Sequence, residues 1–143
     1  MKHSVTVYLT LNVAIFAAIG VMAFLDPAGF AGAIDFGLLA PPATPELLAT
    51  FGGLMLAIAL AISLPLVFRR YRAQGCLLVA LAYLGFGCGR LWGMLVYSGF
   101  DWRNGLFLAT EVVLVAWGLA CFWQTRRDAS GAPGVPGEGD SAD

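Results

Sequence analysis

The stretch Gly75–Ser98, "GCLLVALAYLGFGCGRLWGMLVYS", decides the fold. It is apolar over the length that carries a helix across a hydrocarbon core, about 20 residues, and Arg90 is its one charge. Strands cross a membrane only as a closed barrel, whose sequences alternate apolar and polar residues, and this stretch does not alternate. It reads as a transmembrane helix with a guanidinium inside it. Three further segments of similar character lie at about Val5–Leu25, Glu46–Phe68 and Leu106–Gln124. The reading is therefore all-α, an integral membrane four-helix bundle over residues 1–127.

Composition agrees with that reading. Hydrophobic residues make up 59% of the chain and charged residues 12%, an apolar excess that a soluble core of this size cannot bury and a bilayer can solvate. A net charge of −1 gives nucleic acid no electrostatic reason to bind. No glycine-rich phosphate loop follows a predicted strand. Cys76, Cys88 and Cys121 form no CxxC pair and read as small buried apolar residues. The only histidine is His3, so a bis-histidine haem or a histidine-rich metal site within one chain is excluded. Met22, Met55 and Met94 read as filler rather than copper ligands. Neither a metal nor a cofactor is expected.

Cations set the expected orientation. Lys2 precedes the first span, Arg69, Arg70 and Arg72 fill the second connection, and Arg126 and Arg127 follow the fourth span. On the other side the third connection holds only Arg103 and the first has no cation. The positive-inside rule then places both termini in the cytoplasm. Tyr97 and Trp102 fall near the outer interface, Tyr71 and Trp123 near the inner one. The first span is too long for the apolar region of a signal peptide and lacks a prompt small-x-small cleavage site, so it is expected to be retained. The connection "DPAGFAGAIDFGLLAPPATPE" reads as an amphipathic loop along the outer interface. Residues 128–143, rich in Pro, Gly and acids, read as a disordered tail.

Depth now gives Arg90 a partner. Arg90 lies roughly 12 Å below the outer end of the third span, and Glu111 roughly 8 Å below the same surface on the fourth. A lone charge at mid-bilayer costs about 2.5–3.5 kcal/mol on insertion scales, so these opposite charges on sequence-adjacent antiparallel helices are expected to pair. Glu46 is the third member of this constellation, in the first turn of a helix that "ATPELL" opens with Thr44 as N-cap and Pro45 next. Thr50 and Gly53 follow it at i+4 and i+7, a polar and small stripe on one face. Gly85, Gly89 and Gly93 form a double GxxxG stripe, and Gly52 with Gly53 a thin spot on the second span, all expected to let helices pack closely. Asn12 is expected to hydrogen-bond a neighbouring helix, and Ser63 with Pro65 to mark a kink.

"ELLATFGG" (Glu46–Gly53), "GRLWG" (Gly89–Gly93), Ser98 with Gly99, and Glu111 resemble the DUF4345 family, small four-span bacterial membrane proteins without an established activity. The resemblance extends from the first span through the fourth. It departs from the family pattern at Leu48, Phe51 and Ser98, where the family carries an arginine, a tyrosine and an acid. It implies a fold and a multi-pass location in the bacterial inner (cytoplasmic) membrane, and no reaction. No nucleophile–base pair, metal cluster or cofactor motif can be assembled, so an enzyme ranks last. The leading expectation is a non-enzymatic membrane protein with a polar pocket near the outer face. Glu46, Thr50, Arg90 and Glu111 would line it for a small amphipathic ligand or a lipid head group. One alternative is an accessory or assembly subunit of a larger membrane complex, marked by a glycine stripe facing outward. The other is a small transporter acting as a homo-oligomer.

Overall fold

The computed structural model describes residues 2–34, 36, 43–97 and 101–130. Among them it is all-helical: α1 (Lys2–Leu25), α2 (Pro27–Ala33), α3 (Ala43–Leu47), a π-helical segment (Leu48–Leu54), α4 (Met55–Val67), a 3₁₀ turn (Arg69–Tyr71), α5 (Arg72–Val96) and α6 (Trp102–Ser130). α3, the π segment and α4 follow one another without a break, giving four helices long and apolar enough to cross a membrane. Only 22–33% of each apolar window is buried inside the bundle. The rest is bare apolar surface, including Leu25, Leu60, Val112 and Val113, which a hydrocarbon solvent accommodates and water does not.

α1 packs against α4, α5 and α6, and α5 against α4 and α6. α1 and α5 thus form the short diagonal of the bundle, with α4 and α6 on its flanks. Tyr8, Leu9 and Phe16 from α1 fill the core with Ile62, Val79, Tyr83, Leu114 and Cys121. Within it the Tyr8 hydroxyl donates to the Leu114 carbonyl at 3.0 Å, and Trp117 Nε1 donates to Ser4 Oγ at 3.0 Å. Both contacts tie α1 to α6. A smaller cluster of Ala23, Phe30, Ala31 and Leu47 closes the other end.

Helices approach most closely where a side chain is missing. A methyl at Gly20 would lie 2.6 Å from Leu56 and 3.0 Å from the Gly52 carbonyl, and one at Gly52 would lie 2.7 Å from Phe24. Gly52 therefore sits in the contact between the π segment and α1. Gly53 faces only its own helix, 3.8 Å from the Leu48 carbonyl. A methyl at Gly118 would run into the Tyr8 hydroxyl, and one at Gly75 would lie 2.5 Å from the buried Pro65 ring. α4 continues through Pro65 to Val67, with Ser63 Oγ donating to the Leu60 carbonyl at 2.7 Å.

Several local expectations are corrected. The first connection is not all loop, because Asp26 caps α2 by accepting from the Gly29 N–H at 2.9 Å, with Pro27 at the first helical position. Thr44 is not an N-cap, since α3 already begins at Ala43. α6 runs on to Ser130 instead of ending near Gln124, so residues 128–130, assigned to the tail, are helical. The remaining tail lies outside the described residues. Asn12 is fully buried, but its Nδ2 donates to the Tyr8 carbonyl of its own helix at 2.8 Å.

Candidate functional site

Arg90 and Glu111 meet near the end of the bundle where α5 leads into α6. Arg90 lies six residues before the end of α5 and Glu111 nine after the start of α6, so the antiparallel pairing of the two helices brings the side chains level. Arg90 Nη2 donates to Glu111 Oε1 at 2.9 Å, and Nε lies 3.1 Å from Oε1 and 3.3 Å from Oε2. The carboxylate thus takes one edge of the guanidinium. Nη1 donates to Asn104 Oδ1 at 3.2 Å, and the Phe107 ring lies 4.9 Å below the guanidinium carbon. Among the described residues, one N–H on each terminal nitrogen is left without an acceptor. The Glu111 side chain is 8% exposed and that of Arg90 29%, so the acid is sealed in the helix interface and the base opens outward.

Gly87 makes room for the acid. A methyl there would already touch Glu111 Oε2 at 3.5 Å and Leu108 at 3.6 Å, and a larger side chain would press on both. Gly87 lies one turn before Arg90, on the face α5 turns to α6. The glycines expected to serve close packing behave otherwise. At Gly85, Gly89 and Gly93 an added methyl meets nothing within 4 Å among the described residues. Cys88 and Trp92, exposed on the same helix, belong to this outward side. The stripe faces away from the bundle, which corrects the expectation that it packs helices within the chain.

Glu46 does not join the pair. It is exposed on α3, whose neighbours are α2 and the π segment, while α5 packs against α1, α4 and α6. Thr50 is exposed as well, and it falls inside the π segment. The i+4 and i+7 stripe from Glu46 to Gly53 presumes α-helical spacing, which hydrogen bonds that close five residues on do not keep. Asn104 and Phe107 were missed by sequence reasoning. Their signal was available, because positions 104, 107 and 111 recur at helical spacing on one face of α6.

The opposite end, which carries the start of α1, the end of α6 and the α4–α5 turn, gathers Arg69, Arg70, Arg72 and Arg127, with Tyr71 and Trp123 exposed beside them. Tyr97 and Trp102 are exposed at the Arg90 end. The aromatic residues thus mark two belts, as at membrane–water boundaries. Among the described residues, no three His, Cys, Asp or Glu side chains gather as a metal ion would require. Comparison of the chain with protein-family models, curated proteins and solved structures gives no match.

Proposed function

We propose that this chain is a non-enzymatic, multi-pass protein of the bacterial inner membrane whose Arg90 site receives a small amphipathic molecule or a lipid head group. The observation that carries this reading is the open side of Arg90. Its guanidinium is held by Glu111, Asn104 and Phe107, yet among the described residues it keeps two N–H groups without acceptors and a 29% exposed side chain. Ionisable residues within membrane spans are expensive and mark functional sites more often than not. The bare flank of α5 offers an apolar body a place to lie alongside. Positive-inside counting puts both termini in the cytoplasm and the Arg90 site near the outer face. Membership of the DUF4345 family is part of this proposal, supported by the motifs at Glu46–Gly53, Gly89–Gly93 and Glu111.

A second reading, an accessory subunit, is favoured by the outward direction of Gly85, Gly89 and Gly93. Such a stripe lets a foreign transmembrane helix come close. Purification of the full chain from native membranes in mild detergent, with bound lipid and protein both analysed, separates the two. The wild type should retain one class of amphipathic molecule, and the double variant Arg90→Leu with Glu111→Leu should lose it. A defined larger complex that Gly89→Leu dissolves would move the conclusion to the subunit reading. A wild type that carries neither would contradict both.

A further inference from the structure

The arginine-rich end holds a recess that the Arg90 site does not use. It encloses about 150 Å³ and is lined by Val5, Arg69, Arg72, Gln124, Thr125 and Asp128, far more room than the roughly 10–15 Å³ that one water requires. The side chains of Arg69 and Arg72 have no hydrogen-bond or ion-pair partner among the described residues, and the Nε of Arg72 is also sealed from solvent. A charged donor that is buried without an acceptor is costly. An anion seated in the recess would supply acceptors for the guanidinium groups that line it.

The lining narrows the anion. Arginine's planar fork suits the oxygens of a phosphate. Two arginines and Asp128 give the recess one net positive charge, which balances the single charge of a phosphodiester and not the larger charge of free phosphate. Thr125 Oγ1 already donates to the Cys121 carbonyl at 2.8 Å, which leaves the Gln124 amide as the neutral donor. α5 starts at Arg72 without a side-chain cap, so the positive end of its dipole also faces this region. Val5 forms an apolar wall, and an adjoining groove shares Gln124 and Asp128 with Trp123 and Arg127. Basic pockets between spans on the cytoplasmic side suit anionic lipid head groups. We propose that this recess binds a phosphate group, its occupant being the phosphodiester of an anionic lipid at the inner interface.

The test titrates phosphatidylglycerol, phosphatidylcholine or inorganic phosphate into the full-length protein in neutral detergent and follows the unfolding temperature. Phosphatidylglycerol should raise it and phosphatidylcholine should not. Combining Arg69→Gln with Arg72→Gln should weaken the response roughly tenfold or more. Arg70→Gln should leave it unchanged, because Arg70 stacks over the Tyr71 ring at 4.6 Å and does not line the recess. Asp128→Asn should strengthen it, and that variant decides the matter if the arginine pair fails to fold. A response to inorganic phosphate that the arginine variants abolish would keep the phosphate chemistry and assign it to the free ion. An equal response to phosphatidylcholine, or one that ignores the arginine and Asp128 changes, would overturn the proposal.

Discussion

Arg90 is held because removing its partner would leave a charge without a counter-ion in a setting of low dielectric. Breaking one side of a buried pair costs about 3–5 kcal/mol, and the 29% exposure of Arg90 places Arg90→Leu and Glu111→Leu toward the lower end. Each should lower the unfolding temperature in detergent sharply, and the double leucine variant should recover much of the loss because it orphans no charge. Strictly additive losses would mean that the two residues do not act as partners. Asn104→Ala should cost less, about 1.5–3 kcal/mol, the range for hydrogen bonds to charged groups. The pairing was legible in the sequence because two opposite charges sit at similar depth on helices that a short turn must hold together. Glu46 was misread into the group because depth and side of the membrane do not say which helices are neighbours.

Among the helical elements, glycine shows where sequence stops being informative. A GxxxG spacing says that a helix can be approached closely, but not by what. Gly85, Gly89 and Gly93 have that spacing and face outward, whereas Gly20, Gly75 and Gly118 make the close contacts of the bundle. Gly118→Ala should therefore cost about 1–3 kcal/mol through overpacking against Tyr8 and Ala80. Gly89→Ala should be neutral or stabilise α5 by up to about 1 kcal/mol, since a methyl meets nothing there and alanine favours the helix. Thermal unfolding of the two variants in detergent checks both. Equal losses would mean that Gly89 packs against something within the chain. The π segment was equally hidden, because hydrophobic periodicity over seven residues does not distinguish a widened turn from an α-helical one. That one turn undoes the stripe drawn from Glu46 to Gly53.

At the scale of the molecule, span number and helical class were legible because apolar length and scarce charge are direct requirements of a bilayer. Helix ends were less so, as hydropathy falls away before hydrogen bonding does, and α6 outlasts its apolar stretch. The recess at the arginine-rich end was invisible, since it joins the start of α1, the α4–α5 turn and the end of α6, three places far apart in the chain. Both proposed sites depend on one arrangement: the termini and Arg69–Arg72 on the cytoplasmic side, and the α5–α6 turn outside. Cysteine labelling with a membrane-impermeant reagent tests it most directly, in a chain whose Cys76, Cys88 and Cys121 have been replaced. Asp101→Cys should react in intact cells, and Asp128→Cys only after permeabilisation. Labelling of Asp128→Cys in intact cells, with Asp101→Cys protected, would contradict the account.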